Sequence, residues 1–203
     1  MSIEFVNAIK DNQEVFGVAL IDEAIDRLAM YYELILQHNQ LLHLIAPMPA
    51  EEFAVRHVLE SLTMLQFLRP AARFIDVGSG GGLPAAPCLL VRNDLRAVLV
   101  ESKEKKAAFL SLVAEKLDIG TRTQVLNRQF SELDPRGTEA VSCRALDKFT
   151  QKLPQLVKWA GKRQLLLFGG PNLRDALQVN GVTHTEKLMP LSEKRYLFIS
   201  NPD

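Results

Sequence analysis

The stretch that most restricts what this chain can fold into runs from Phe74 to Pro87 and reads FIDVGSGGGLPAAP. A short apolar run, Phe74-Ile75-Asp76-Val77, gives way to Gly78-Ser79-Gly80-Gly81-Gly82. Pro84 then stands where the first turn of a helix has no use for an N–H. Strand, glycine turn and helix in that order predict the opening unit of an α/β sheet. Without Cβ atoms in the way, backbone N–H groups of such a turn can close on a ligand, and the helix start behind it favours acceptor or anionic groups. A nucleotide-like cofactor is the expected guest.

Which cofactor depends on the spacing. A dinucleotide fingerprint, Gly-x-Gly-x-x-Gly, would need glycine at position 83, where this chain has Leu83. The spacing present is Asp76-x-Gly78-x-Gly80-x-Gly82, followed by a second apolar strand, Ala97 to Val100, that ends in Glu101, 23 residues after Gly78. An ionised carboxylate at the tip of that strand only accepts hydrogen bonds and suits both hydroxyls of a ribose. Together these features resemble the class I S-adenosylmethionine-dependent methyltransferases. The resemblance implies a Rossmann-like, doubly wound and mostly parallel sheet with S-adenosyl-L-methionine, not NAD, as cofactor.

The pattern on either side agrees with an α/β sheet. Apolar positions at three- and four-residue spacing predict one helix over 20–36 and another over 51–67, the latter with Glu51 and Glu52 in its first turn. His57 and Glu60 share a face there, so they hydrogen-bond each other, line a cleft, or form a surface pair. Beyond the glycine turn, helices are expected over 84–91, 103–117 and 147–159, and strands over 97–100, 123–126, 140–143 and 164–168. The alternation predicts right-handed crossovers and a parallel sheet. The tail breaks the rhythm with a short helix to Val179 and a hairpin-like pair, 182–189 and 196–200, expected as an antiparallel edge. The division is thus a helical N-terminal extension, 1–70, packed on a methyltransferase domain, 71–203. At 203 residues, 47% apolar and 24% charged, the chain reads as one globular unit and not as a disordered one.

Other classes are disfavoured. No apolar run approaches the roughly 18 residues of a spanning helix, and Cys88 and Cys143 have no partner at metal-ligand spacing, so no membrane and no metal are expected. A cytoplasmic monomer is the expectation. Residues 1–62 carry three Lys/Arg against ten Asp/Glu, whereas residues 96–163 carry fourteen against eight. The basic half, including Lys103, Lys105 and Lys106 at one helix start, suits RNA phosphates or is a solvated helical surface.

Methyl transfer from a sulfonium is an in-line displacement, so the nucleophile decides what else is needed. Amine methylation of adenine or cytosine usually uses an Asn/Asp-Pro-Pro-aromatic turn after the fourth strand, where this chain has Cys143-Arg144-Ala145-Leu146. A cytosine-C5 enzyme needs a nucleophilic cysteine in Pro-Cys, and Pro87-Cys88 falls inside a helix. Guanine N7 carries a free lone pair, so positioning and arginine contacts suffice. Arg144, at the carboxyl end of the fourth strand, is expected in the active site, forked onto a cofactor carboxylate or guanine O6. Its alternative is an ion pair with Asp147 or Glu60.

A narrower resemblance rests on His38-Asn39, on Arg56-His57-Val58-Leu59-Glu60-Ser61 and on 76–87. It continues with Glu101-Ser102, Lys105-Lys106, Phe109-Leu110, Asn127-Arg128 and Ser142-Cys143-Arg144-Ala145. With these the chain is similar to the bacterial small-subunit (16S) ribosomal RNA guanine-N7 methyltransferases, historically called glucose-inhibited division protein B. The resemblance implies that the cofactor meets Gly78, Leu83, Gln129, Phe130 and Arg144, with Asp76, Gly80, Gly82 and Glu101 completing its site. It also implies that Arg144, Arg128 and His57 serve catalysis, with ribosomal RNA or the small ribosomal subunit as partner. A lysine that the family carries after the fifth strand is replaced in Phe168-Gly169-Gly170. A small-molecule methyltransferase and a cofactor-binding protein without catalysis remain as alternatives.

Overall fold

The computed structural model describes residues 2–144, 146 and 148–200. Ala145 and Asp147, singled out above, lie outside the described residues, and so does the expected start of the helix over 147–159.

The chain opens with a helix that the periodicity reading left out, α1 (Ile3–Asn12). Ser2 Oγ caps it by accepting from Phe5 N at 3.3 Å, and Phe5, Ala8 and Ile9 form its buried stripe. The second helix, α2 (Asp22–Leu42), runs past the expected end and stops where His43 turns left-handed at φ 49°. The predicted helix over 51–67 is instead a composite. A short α3 (Ala50–Phe53) passes into a π-helical segment, Ala54–Leu59, then α4 (Glu60–Leu62) and a 3-10 stretch, Thr63–Phe67. Apolar spacing alone cannot distinguish these windings, and π-helical segments recur at functional sites.

The α/β part follows as read, with ends shifted by a few residues at most. It comprises β1 (Arg73–Val77), α5 (Ala85–Val91), β2 (Arg96–Val100), α6 (Glu104–Lys116), β3 (Thr123–Leu126), β4 (Ala140–Cys143), α7 (Phe149–Ala160), β5 (Gln164–Gly169), α8 (Pro171–Val179), β6 (Thr185–Leu188) and β7 (Tyr196–Ile199). The seven strands lie in the order β3-β2-β1-β4-β5-β7-β6. The first five are parallel, Ile75 pairing with Val98 on one side and Val141 on the other. β7 runs antiparallel to both β5 and β6, so the antiparallel tail is two strands deep and β6 is the outer edge. Chain order reverses between β1 and β4, which opens a crevice at their carboxyl ends.

Each inner strand is apolar on both faces, as a sheet covered on both sides requires. Phe74, Ala97 and Leu99 belong to one core, and Ile75, Val77, Val98 and Val100 to the other. The first core also takes in the N-terminal helices, where Phe5 stacks on Tyr32 at 5.0 Å and Tyr32 meets Phe53 at 4.8 Å. Cys88 and Cys143 are buried, one in each core, and burial pushes both thiols well above their ordinary value. No helix among the described residues is long and apolar enough to cross a membrane.

One hydrogen bond ties the N-terminal helices to the glycine turn: Tyr31, fully buried on α2, donates its hydroxyl to the Gly81 carbonyl at 2.8 Å. Tyr31→Phe keeps the ring and strands that carbonyl, which should cost about 1–3 kcal/mol. Urea unfolding measures it, and an unmoved midpoint would mean that the bond contributes nothing.

Candidate active site

A cavity of about 510 Å3 opens over the crevice between β1 and β4. The glycine turn forms one side. Gly78 N and Ser79 N both donate to the Val100 carbonyl, at 2.9 and 3.1 Å, which sews the turn to the end of β2. Gly78 sits at φ +70°, and a Cβ there would come within 3.1 Å of Leu146 Cδ1. Gly82, at φ +100°, is glycine for a different reason: its Cβ would meet Ala86 at 3.1 Å and Leu110 at 3.3 Å inside the core.

Glu101 braces this side. Its Oε2 accepts from Gly80 N at 2.9 Å and its Oε1 from Lys103 N at 2.8 Å. A carboxylate has about four acceptor positions, so half of its capacity remains for a ligand. Asp76 lies beneath the turn and not in the cavity wall. It is fully buried, with Oδ1 accepting from Ser142 Oγ at 2.6 Å and Oδ2 without a partner among the described residues. Burial pushes its carboxyl up to about 7, against the pull of Ser142 and Ser79.

A second wall is contributed by the connection after α2. Asn39 Oδ1 accepts from Leu44 N at 2.8 Å and Ile45 N at 2.9 Å, while its Nδ2 donates to the Ile45 carbonyl at 3.0 Å. One amide thereby holds the segment 44–46 that lines the cavity. Lys106 Nζ donates to the His43 carbonyl at 3.0 Å, and Lys103, Lys106 and Lys152 are all among the residues that line the cavity. Desolvation, then Lys103, draws the Lys106 ammonium below its ordinary value.

The third wall joins the π-helical segment to the tip of β4. Arg144 Nη2 donates to Glu60 Oε2 at 3.0 Å and to the Arg56 carbonyl, and the Arg144 guanidinium lies 5.4 Å from the Phe168 ring centre. The ion pair with Glu60 is therefore formed, and Arg144 lines the cavity as well; its Nη1 is buried without a partner among the described residues. His57 does not bond Glu60. Its ring packs 5.2 Å from that of Phe53, and neither ring nitrogen has a partner among the described residues. Burial first, then Arg144, Arg56 and Arg195, lowers His57 to about 3, so the imidazole is neutral at physiological pH. Glu60 is buried between Arg144 and Arg195, which excludes the surface-pair reading.

These two shifts oppose each other in stability. Asp76, raised from 3.8 to about 7, is protonated in the fold where the unfolded chain is ionised, so its contribution is lost as pH rises across that window. His57, lowered from 6.5 to about 3, is neutral in the fold where the unfolded chain is protonated, so its contribution is lost as pH falls across that window. Asp76→Asn should therefore leave stability that declines as pH falls below 6.5, and His57→Gln stability that declines as pH rises from 3.8 to 7. Melting temperatures between pH 4 and 8 check both. Parallel curves in the two variants would contradict these protonation states.

Of the residues singled out by sequence, the cavity brings together His57, Gly78, Gly80, Leu83, Glu101, Gln129 and Arg144. Asp76 lies beneath the turn, Gly82 closes the turn against Ala86 and Leu110 in the core, and Phe130 is buried against Trp159, 5.3 Å between ring centres. Arg128 is exposed and stands outside the lining. Sequence reasoning missed Lys152 and Arg195, which carried no signal; the lining segment 44–46 had Asn39, one of the residues of the resemblance, as its pointer.

The family described as rRNA small subunit methyltransferase G matches residues 24–189, from α2 through β6. The chain belongs to this family. A member from Neisseria meningitidis serogroup C, Ribosomal RNA small subunit methyltransferase G, is 33% identical over 154 residues, covering 76% of this chain and 71% of its own. A second rRNA small subunit methyltransferase G, from Sorangium cellulosum, is 36% identical over 158 residues, 74% of this chain and 66% of its own. Among solved structures, the N-terminal domain of human METTL16 in complex with SAH superposes with a TM-score of 0.57 at 14% identity, over 87% of this chain and 82% of that one. That likeness shows the methyltransferase fold. The family match takes in all three cavity walls and ends before Arg195.

Proposed function

We propose that this member of the rRNA small subunit methyltransferase G family transfers a methyl group from S-adenosylmethionine to N7 of a guanine in small-subunit ribosomal RNA. The observation that carries the reading is one cavity that joins the Gly78–Gly81 turn and Glu101 to a wall bearing Arg144 and a neutral His57. The residues fit the cofactor. Glu101 keeps acceptor capacity for ribose hydroxyls, the turn leaves open space at Gly80, where a Cβ would meet nothing nearer than the Gly78 carbonyl at 3.8 Å, and Arg144 Nη1 is a buried donor still lacking an acceptor.

When bound, S-adenosylmethionine supplies an electrophilic methyl carbon on a sulfonium sulfur. The chain's part is to hold the acceptor in line with it and to exclude water. The N7 lone pair forms the new bond without prior loss of a proton, so no ionised base is required. A neutral His57 in the wall suits that task because it adds no further charge as the guanine becomes cationic. Lys103, Lys106 and Lys152 in the lining, with Arg128 exposed next to the lining residue Gln129, support an RNA substrate. We read residues 1–70 as a helical extension of a methyltransferase domain at 71–203, acting as a cytoplasmic monomer on ribosomal RNA or the small subunit.

Transfer of tritium from labelled cofactor tests this. Label in 16S RNA that depurinates as 7-methylguanine is the expected result. Label in a metabolite pool would instead point to a small-molecule enzyme, and cofactor binding without label in either would point to a protein that has lost catalysis.

A further inference from the structure

Glu60 stands between two cations. Its side chain is 2% exposed, and both oxygens are committed, Oε2 to Arg144 Nη2 at 3.0 Å and Oε1 to Arg195 Nε at 2.6 Å. The residue follows directly on the π-helical segment, whose Arg56 carbonyl takes a second bond from the same Arg144 Nη2. Nη2 is thus held from two sides and Phe168 lies beside the guanidinium, while Nη1 stays without a partner among the described residues. An arginine buried only for structure would be expected to have its whole fork satisfied. One carboxylate shared by two guanidinium groups also leaves a positive charge over, since Arg56 is occupied by Glu52. Arg195 comes from the turn before β7, fixed by Met189 N donating to the Arg195 carbonyl at 2.9 Å and by Arg195 N donating to Ser192 Oγ at 3.1 Å.

We propose that Glu60 is a positioning residue: it holds Arg144 in the cavity wall in the orientation in which its guanidinium takes the carboxylate of S-adenosylmethionine, and Arg195 on the C-terminal hairpin holds Glu60 in turn. The inference rests on the methyl-transfer reading of the cavity. It assigns to the hairpin, which contributes no residue to the lining, control over ligand binding at the opposite end of a three-residue chain.

Calorimetric titration of the full chain with S-adenosylhomocysteine, which carries the same carboxylate, tests it. Arg195→Lys keeps the charge and removes the Nε–H aimed at Glu60; at 31% side-chain exposure it should fold and bind three- to tenfold more weakly. Glu60→Gln should bind at least tenfold more weakly, and Glu60→Asp should regain part of the loss. Arg92→Lys serves as the comparison, because it loosens an arginine bonded to Asp94 and the Leu68 carbonyl outside the cavity and should leave affinity unchanged. Wild-type affinity in Arg195→Lys would overturn the proposal even if Glu60→Gln fails to fold, and so would an equal loss in Arg92→Lys. A wild-type chain that binds S-adenosylhomocysteine but labels no RNA would sink the functional reading alone. A chain that does not bind it would overturn both.

Discussion

Arg144→Lys is expected to lower methyl transfer to small-subunit RNA by tenfold or more, about 1.4 kcal/mol of transition-state stabilisation, and to lower the melting temperature by several degrees. Both effects follow from one geometry. A lysine ammonium gathers its donors on one nitrogen, so once that nitrogen is held by Glu60 and the Arg56 carbonyl there is no second one to present to a ligand, and lysine has no plane to lay beside Phe168. From sequence, an ion pair with Glu60 and an active-site role stood as alternatives; the structure has Arg144 in the ion pair and in the cavity wall. The comparison that decides is turnover per folded molecule, with the folded fraction taken from circular dichroism. Unchanged turnover in a destabilised variant would reduce Arg144 to a structural residue.

Glu101→Ala should weaken binding of S-adenosylhomocysteine by on the order of 1.5–3 kcal/mol, the usual range for charge-assisted hydrogen bonds. The loss has two sources. A ribose loses its acceptor, and the amides of Gly80 and Lys103 lose theirs, so the turn that cradles the ligand slackens as well. Glu101→Gln separates them, because its single carbonyl oxygen can still serve one of the two amides. Calorimetry on both variants is the check, and affinity equal to wild type in Glu101→Ala would place the ribose elsewhere.

The sheet was legible in the sequence because its signals are local. Apolar runs that end in Gly78, Glu101, Asn127 and Arg144 mark carboxyl ends of strands, and parallel pairing then gathers those tips at one crevice. The helices were harder. The run over 50–67 has one apolar period whether it winds as α, π or 3-10, and the extra residue per turn that places Arg56, His57 and Glu60 is invisible to periodicity. Asp76 matched a cofactor pattern because it precedes the glycine turn, yet its carboxylate points to Ser142 within the sheet and is buried. Phe130 followed Gln129 in sequence but turned inward to Trp159. Arg195 could not have been found at all: 135 residues separate it from Glu60, and only the closed hairpin brings them together.

The Tyr31 hydroxyl on the Gly81 carbonyl, the Asn39 clasp on 44–46 and the Arg144 bond to Glu60 all run from the N-terminal helices into the cavity. The sheet therefore does not own its binding site. A chain cut back to begin at residue 71 would keep Gly78, Glu101 and Arg144 but bare the core around Phe74, Leu89 and Leu110 and breach two of the three walls, which lose 44–46 and His57. In engineering terms the helical segment cannot be exchanged like a cassette to redirect the enzyme to another RNA; any graft has to carry Tyr31, Asn39, His57 and Glu60 with it.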